Sequence, residues 1–412
     1  MVRLITLACL LAALLTAGCN GSQETDEVAF VLTVGIDAAP GGQLNVTYRV
    51  AKPSALGGEG GKGGAGEISP ILTINAPSLA VARDLLNSQT ARAPSMVHVK
   101  VVVIGEELAR KGIGDAIGPL LRFREFRGSM FIHVADGTTA EKLIRANKPP
   151  LEKLPTRWLE GMMSTSGETG YYPRTFLHDF YVRLKAGSGS PYATLSGIKT
   201  GKRPPSVEPA AGEKTGEYLP GEIDVRGGNP GQVIGTALFR GDKMVGKLTS
   251  EETRMLAMLT GEFRHGYITV EDPLQPKSSV NINLRPGRSP KIDVTLADGR
   301  VVIDVDIMLE GEVTSIGSGI NYEDAGYNQQ LEDQVSAVVR ADIEKLIRYT
   351  QQLGSDPVNF GKYLRSRFAT YDEFRRFDFD GKYPAAEVSV RVTTQLRRTG
   401  LMWKTTPIRK RQ

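Results

Sequence analysis

The sequence has little cysteine, little histidine and no apolar run long enough to cross a membrane. Only two of the 412 residues are cysteine, Cys9 and Cys19, and four are histidine. If the N-terminus is removed on export, Cys19 is left alone, so no internal disulfide can form and packing must supply the stability. The apolar run at residues 4–17 is shorter than the roughly 20 residues that a transmembrane helix needs.

Composition and charge exclude several classes of protein. Hydrophobic residues make up 40% and charged residues 24% of the chain, which is ordinary for a soluble globular protein and argues against general disorder. The formal net charge of +5 is small for 412 residues and forms no basic stripe, so we expect no nucleic-acid partner. The length fits about two to three domains.

The sequence contains no pattern that is typical of an active site. None of the histidines lies in a His-Glu-x-x-His pattern, and no Gly-x-Ser-x-Gly pattern occurs. Asp304 and Asp306 are two positions apart in a predicted strand and therefore share a face, as a catalytic carboxylate pair would. Their alternation with Ile303, Val305 and Ile307 is also typical of a strand with one solvated face, and we favour that interpretation. We predict no catalytic residue, no metal ligand and no cofactor.

The N-terminal residues predict export followed by lipid anchoring. Arg3 precedes the apolar run and small residues end it, which is typical of a bacterial export signal. The run Leu15-Thr16-Ala17-Gly18-Cys19 has the form of a lipobox, in which diacylglycerol acylates the cysteine thiol and the chain is cut just before it. We therefore predict a signal peptide at residues 1–18 and lipidation of Cys19. The alternative, a plain secretory signal, would not need cysteine at this position.

The first half of the chain predicts a sheet packed with helices. Residues 30–34 alternate between apolar and polar side chains, and residues 98–104 are almost continuously β-branched, as in a buried strand. Periodicity is lost at residues 199–232 among prolines and glycines, and this predicts a linker or an irregular excursion. The predicted division is a signal peptide at 1–18, an N-terminal α/β region at 19–198, the linker at 199–232 and a C-terminal α/β region at 233–412.

The second half predicts an antiparallel sheet with a long helix. Residues 234–246 read as a hairpin that turns at Gly241-Asp242, and Thr249 with Glu252 forms a capping box. Apolar residues at 331–347 recur at helical spacing and form one stripe. The polar side of this helix carries both charge signs, so we favour a helix packed on the sheet over a helix lying on a membrane.

Several blocks of residues carry a resemblance that covers nearly the whole chain. The blocks are Gly35-Ile36-Asp37, residues 98–112, residues 233–248 with Glu252-Thr253-Arg254, residues 351–361 and Arg398-Thr399-Gly400-Leu401. They resemble the Ger(x)C lipoproteins, the C subunits of spore germinant receptors in endospore-forming bacteria. The resemblance implies an α+β fold of three small domains, each a mainly antiparallel or mixed β-sheet packed with α-helices.

The resemblance also implies a function and partners. It implies a non-enzymatic receptor subunit on the outer face of the spore inner membrane, held in the bilayer through acylated Cys19. Its partners would be integral membrane subunits of the A and B types that respond to nutrients. Whether the chain itself binds the germinant stays open. An alternative is a solute-binding lipoprotein of a membrane transporter, although no two-lobe repeat is evident; a lipid-anchored hydrolase would need a nucleophile constellation that we do not find.

Overall fold

The structure is a computed structural model of the chain. It describes residues 27–51, 69–152, 155–199, 217–322 and 324–398, together with residues 1 and 3. Within this part, the strands form two β-sheets against which the helices pack. Short 3-10 turns lie at Pro40–Gly42, Ser166–Glu168, Arg365–Arg367 and Tyr383–Ala385.

The first sheet is mixed, with parallel strands at its centre. Its strands are β1 (Val28–Ala38), β2 (Leu44–Val50), β3 (Ile71–Ala76), β4 (Ala93–Ser95), β5 (Val101–Gly105), β6 (Phe131–Ala135), β7 (Tyr192–Ile198), β8 (Gly231–Arg240) and β9 (Lys243–Leu248). They lie in the order β3-β2-β1-β5-β6-β7-β8-β9, with β4 beside β1. The pairs β1–β5, β5–β6 and β6–β7 are parallel because helices lie between these strands in the chain, and the other neighbours in that order are antiparallel.

Helices cover both faces of this sheet. They are α1 (Leu79–Gln89), α2 (Glu106–Lys111), α3 (Gly114–Arg122), α4 (Ala140–Ala146), α5 (Pro155–Ser164) and α6 (Leu177–Lys185). Val102 and Ile104 of β5 pack in a core with α1, α3 and α6, whereas Val101 and Val103 pack in a second core with α4 and α5. The β-branched run is therefore buried on both faces, as a central parallel strand requires.

The hairpin of β8 and β9 belongs to the first sheet. The hairpin itself is confirmed, but β8 pairs antiparallel with β7, so the chain changes from one sheet to the other after Leu248 and not at Val233. Lys199 donates its N–H to the Pro230 carbonyl at 2.8 Å, so the two ends of the predicted linker lie side by side. This segment therefore connects neighbouring strands of one sheet. The division of the chain into separate folding regions stays a prediction.

The second sheet is built around one long strand. Its strands are β10 (Gly266–Glu271), β11 (Ser279–Pro286), β12 (Lys291–Ala297), β13 (Arg300–Ile316) and β14 (Glu387–Arg398). Along β13, β11 and β12 pair antiparallel with different stretches of the strand, and β14 pairs parallel with it. Since β12 and β14 both pair with residues 302–306, they lie on opposite sides of β13. Among the described strands, β14 has β13 as its partner and forms an edge of the sheet.

One long helix covers the inner face of this second sheet. The helices of this region are α7 (Ser250–Thr260), α8 (Ala325–Leu353), α9 (Gly361–Leu364), α10 (Tyr371–Phe377) and α11 (Phe379–Lys382). Most of the predicted apolar stripe of α8 is buried: Val338 is partly exposed, and the members that are at most 2% exposed are Leu331, Val335, Val339, Ile343, Leu346 and Ile347. Burying such a side chain contributes about 1.5–3 kcal/mol. The prediction that this helix packs on the sheet is therefore confirmed.

The predicted fold class, α+β, is confirmed by these mixed and antiparallel sheets with their helices. The resemblance implied three small domains, whereas the described residues form two sheets. Tyr192, Leu238 and Leu248 of the first sheet pack into the same core as α8 and the second sheet. Within the described part of the chain, every helix is too short or too polar to span a bilayer.

Candidate functional site

The residues that the sequence singled out are not brought together in one place. Cys19 lies outside the described residues, so its lipidation stays a prediction. His133 is 1% exposed, and its Nδ1 lies 2.7 Å from the Ser196 hydroxyl oxygen. Burial lowers the pKa of His133 to about 3, so the ring is neutral at physiological pH. In the part of the chain that the structure describes, no group of three or more His, Cys, Asp or Glu side chains is arranged to hold a metal ion.

The acid pair of the long strand lies on the outer face of the second sheet. Asp304 is exposed, and Asp306 forms an ion pair with Arg288, whose Nη2 lies 2.8 Å from its Oδ2. Asp293 of the neighbouring strand β12 lies directly opposite Asp304. The burial along β13 alternates between its two faces, so this is the solvated strand face that the alternation indicated.

Asp37, in the first block of the resemblance, has a structural role. Its side chain is buried at the end of β1, where Oδ1 accepts the Ala140 N–H at 2.7 Å and Oδ2 accepts the Glu141 N–H at 3.0 Å. These are orphan N–H groups of the first turn of α4. Burial raises the pKa of Asp37, and the two backbone donors offset part of that rise. A Cβ at Gly105 would collide with the Asp37 carboxylate, so a larger residue there would displace this cap.

Lys247, in the block at residues 233–248, forms a half-buried ion cluster. Its Nζ lies 2.8 Å from Glu106 Oε1 and also contacts Asp136, which follows β6. Burial by itself would raise the pKa of Glu106, but hydrogen bonds from Lys247, Gly137 and Arg110 hold it below its usual range. The cluster fixes β9 against α2 and the end of β6. The charged groups of this cluster are therefore paired with one another.

The block at residues 351–361 forms part of the contact between the two sheets. We call this contact the junction; it comprises the loop at 186–191, the segment at 354–361 and Asp380. Ser190 donates its N–H to the Asp356 carbonyl at 2.7 Å, and the Asp356 N–H returns a bond to the Ser190 hydroxyl at 2.9 Å. The Ser355 hydroxyl donates to the Phe239 carbonyl at 2.8 Å. These reciprocal bonds hold the end of α8 against the first sheet.

Two carboxylates lie at the centre of the junction. Asp356 is 1% exposed, and its carboxylate accepts the N–H groups of Asn359 at 2.8 Å and Gly361 at 3.4 Å. Asp380 accepts the Gly189 N–H at 3.2 Å. Burial, with the charge of Asp380 as the next cause, raises the pKa of Asp356 to about 7. The junction can therefore gain or lose a proton near neutral pH.

The approach of the two segments at the junction is close. Gly189 has a φ of +74°, and a Cβ there would lie 2.6 Å from Asn359 Oδ1. Asn359 itself has a positive φ of 64°, a conformation that asparagine tolerates better than most residues. Arg183 donates to the Pro357 carbonyl at 2.8 Å and lies over the Tyr192 ring. Because the backbones approach closely and the polar bonds are buried, we expect the junction to connect the two sheets rigidly.

A small cavity lies in the first sheet beside α4 and α5. Its lining includes Arg49, His133, Trp158, Ser196 and Gln232. The volume in which the centre of a water molecule fits is about 20 Å³, which is enough for about one water. Nε2 of His133 has no hydrogen-bond partner among the described residues. The cavity therefore fits a single water on His133 better than an amino acid or a sugar.

Sequence reasoning missed the junction. The sequence identifies residues 351–361 only as a block of the resemblance, and nothing in it pairs them with the loop at 186–191. The bonded residues Ser190 and Asp356 are 166 positions apart, and one sequence gives no sign of such pairing. The available signal was local: a glycine-serine run before a proline, and a serine-aspartate-proline run directly after a helix.

Comparison with known proteins identifies the family. Residues 21–198 match the family described as the spore germination protein N-terminal domain, and residues 234–400 match the family described as spore germination B3/GerAC like, C-terminal. The chain is 22% identical over 413 residues to spore germination protein KC of Bacillus subtilis (strain 168), with 97% of each chain covered. It is 21% identical over 360 residues to spore germination protein B3 of the same strain, with 86% of each covered.

A solved structure supports the same fold. The crystal structure of the GerBC protein aligns with a TM-score of 0.50 and 17% identity, covering 88% of this chain and 96% of that chain. The two family matches together extend over most of the sequence, from residue 21 to residue 400. The chain therefore belongs to the GerAC-like family of spore germination proteins.

Proposed function

We propose that this protein is a lipid-anchored, non-enzymatic subunit of a spore germinant receptor, and that it acts with integral membrane subunits in nutrient-triggered germination. The observation that carries the proposal is the length of the match. Relatives named for spore germination align over 86% to 97% of both chains, so the architecture is shared as a whole. The shared architecture therefore favours a role in spore germination over the other functions.

The use of the buried polar groups supports a role without catalysis. Asp37 accepts backbone N–H groups of α4, and Asp356 accepts those of Asn359 and Gly361. Lys247 and Glu106 are paired with one another. These groups therefore stabilise the fold, and a receptor subunit that works through contacts with other chains needs such rigidity. The junction, which connects the two sheets, would keep the surfaces of the protein in a fixed relation.

Anchoring through Cys19 is the part of the proposal that concerns the membrane. An acylated cysteine buries lipid chains at about 0.8 kcal/mol per CH₂ group, which holds a protein at a bilayer without a transmembrane helix. We place the protein on the outer face of the spore inner membrane, beside A- and B-type membrane subunits.

Lipid labelling tests the anchor. Cells are grown with an alkyne-bearing fatty acid, and the labelled protein is compared between the natural chain and Cys19→Ala. We expect label and membrane recovery for the natural chain, and loss of both for the variant; Cys9→Ala serves as the control with unchanged label. Labelling that survives in Cys19→Ala would refute the anchor while leaving the germination role untouched.

Germination kinetics test the receptor role. Spores that lack the gene are complemented with the natural chain or with an empty vector, and the fall in optical density is followed after addition of amino acids, sugars or nucleosides. We expect at least one nutrient response to depend on the natural chain. If every nutrient response were the same with and without the gene, the receptor role would be wrong. Calorimetry of the full chain with the same nutrients tests the transporter alternative, which predicts tight binding by the isolated protein.

A further inference from the structure

The edge strand of the second sheet leaves part of its backbone without partners. The N–H groups of Thr394 and Leu396 donate to Ser336 Oγ at 3.0 Å and to Glu332 Oε1 at 2.7 Å, both on α8. Even-numbered residues of β14 therefore direct their N–H groups away from β13. Val388, Val390 and Val392 share this direction, and none of them has an outward hydrogen bond within the described part of the chain.

A groove lies between α8 and residues 392–395 of β14, and it meets the unbonded part of the edge at Val392. One wall is the backbone of β14, and the other is the side of α8 that projects beyond the strand. The groove has a volume of about 460 Å³ and is largely polar; its lining is Gln329, Glu332, Asp333, Ser336, Ala337, Arg340, Val392, Thr393, Thr394 and Gln395. Unpaired edge backbone of this kind is a template for an added strand. The helix above it limits the occupant to something thin.

The charges beside the groove indicate the chemistry of the occupant. On the outer face of β14, Glu387 pairs with Arg300 at 3.1 Å, and Arg397 pairs with Glu310 at 3.0 Å. Arg391 lies between them, is exposed, and forms no ion pair with any residue that the structure describes. A strand added beside β14 would place one of its own outward side chains next to Arg391. An acidic residue at that position would give Arg391 an ion pair, as Glu387 and Arg397 already have.

We propose that the outer edge of β14 binds an extended segment of another protein by strand addition. The segment pairs with the backbone of Val388, Val390 and Val392, lies beneath the side of α8, and carries an acidic residue next to Arg391. A second copy of this chain would bring its own α8 into the space that α8 already overhangs, so a segment without a helix fits better. This interaction goes beyond the proposed receptor role and does not depend on it.

Probe peptides test the proposal on the full chain in detergent. The first probe is a fluorescent peptide of alternating valine and threonine with a central glutamate; the second has a central lysine; the third is the first with methylated backbone nitrogens. We expect the glutamate peptide to bind at least about tenfold more tightly than the methylated one, because methylation removes the strand donors. Arg391→Glu should shift the preference from the glutamate to the lysine peptide.

A variant of the edge itself provides the matched comparison. Val392→Pro removes one outward N–H and leaves the ladder to β13 intact, since proline is tolerated at an edge position whose N–H faces solvent. Val392→Thr keeps the N–H and the branched shape. We expect the proline variant to lose at least about tenfold in affinity for the glutamate peptide while the threonine variant retains it, with unchanged thermal unfolding as the check on folding.

Three outcomes would overturn the proposal. Equal binding of the methylated and unmethylated peptides would show that the edge backbone is not used, and so would equal binding by Val392→Pro and Val392→Thr. Absence of binding by any peptide would refute an open strand site. Sedimentation that shows dimers of the natural chain, dispersed by Val392→Pro, would assign the edge to a second copy and exclude the partner that we propose.

Discussion

The two sheets bury their strands in different ways. In the first sheet, neighbouring residues of β5 enter two cores on opposite faces, so every side chain of that strand is buried. In the second sheet, β13 alternates between a buried face against α8 and an outer face that carries acids and their arginine partners. The first sheet thus has helices on both faces, whereas the described helices that pack on the second sheet lie on one face.

Because of this difference, the two sheets differ in the surface that is available for binding other molecules. The first sheet is enclosed, and its polar groups are used within the fold, as in the Lys247 cluster. Among the residues that the structure describes, the second sheet has one face without helices and an open edge at β14. The junction connects the enclosed region to the open one through Asp356. We therefore expect mutations in the first sheet to act on stability, and those on the outer side of the second sheet to act on binding.

The largest expected effect comes from paired substitutions in the two central strands. Ile104→Ala in β5 and Ile303→Ala in β13 should each lower the free energy of unfolding by about 2–5 kcal/mol, because each removes a fully buried side chain. The neighbouring residues in the two strands, Val103 and Asp304, should differ in how much their substitution costs. Val103→Ala should cost about 1–3 kcal/mol because its face is also buried, whereas Asp304→Ala should change stability by less than about 0.5 kcal/mol. Denaturant unfolding measures all four; equal costs for Val103→Ala and Asp304→Ala would contradict the difference between the sheets.

The second prediction concerns the pH dependence of the junction. The pKa of Asp356 is raised from 3.8 to about 7, so between these values the unfolded chain releases a proton that the folded chain keeps. Stability from this group is therefore complete at low pH and is lost as pH rises towards about 7. Relative to Asp356→Asn, the natural chain should lose on the order of 3 kcal/mol of unfolding free energy between about pH 4 and pH 7.

Asp380 provides the control for this pH effect. Because its charge is the second cause of the raised pKa of Asp356, Asp380→Asn should lower that pKa and reduce the loss of stability between about pH 4 and pH 7. Denaturant unfolding across this pH range gives the result. A difference between the natural chain and Asp356→Asn that stays constant with pH would show that Asp356 is ionised throughout and that the junction does not titrate.

The third prediction compares two helix caps. Asp37→Ala should cost about 1–3 kcal/mol, because it leaves the Ala140 and Glu141 N–H groups of α4 without an acceptor in a buried place. Asp324→Ala, at the exposed start of α8, should cost about 0.5–1 kcal/mol, because water can replace its bond to the Gly326 N–H. Thermal or denaturant unfolding measures both. If Asp324→Ala cost as much as Asp37→Ala, burial would not be what makes the first cap important.

Sequence patterns predicted the local structure well and the long-range pairing poorly. The Thr249–Glu252 capping box and the apolar stripe of α8 depend on residues a few positions apart, and the structure confirms both. The pairing of β7 with β8 across residues 199–230 and the bond between Ser190 and Asp356 depend on contacts between distant segments. Periodicity carries no information about such contacts, because many partners would satisfy the same apolar pattern.

The smallest expected effect is on the outer face of the second sheet. Glu310 forms ion pairs with Arg285, at 2.7 Å from Nη2, and with Arg397, at 3.0 Å from Nη1, and both arginines are about half exposed. Arg397→Gln should lower the unfolding free energy by no more than about 1 kcal/mol, since exposed ion pairs are weak. Added salt should reduce this difference further, because it screens charges that face solvent. A cost that is large and independent of salt would mean that another chain or a further part of this one covers the face, and the contrast between an enclosed and an open sheet would then fail.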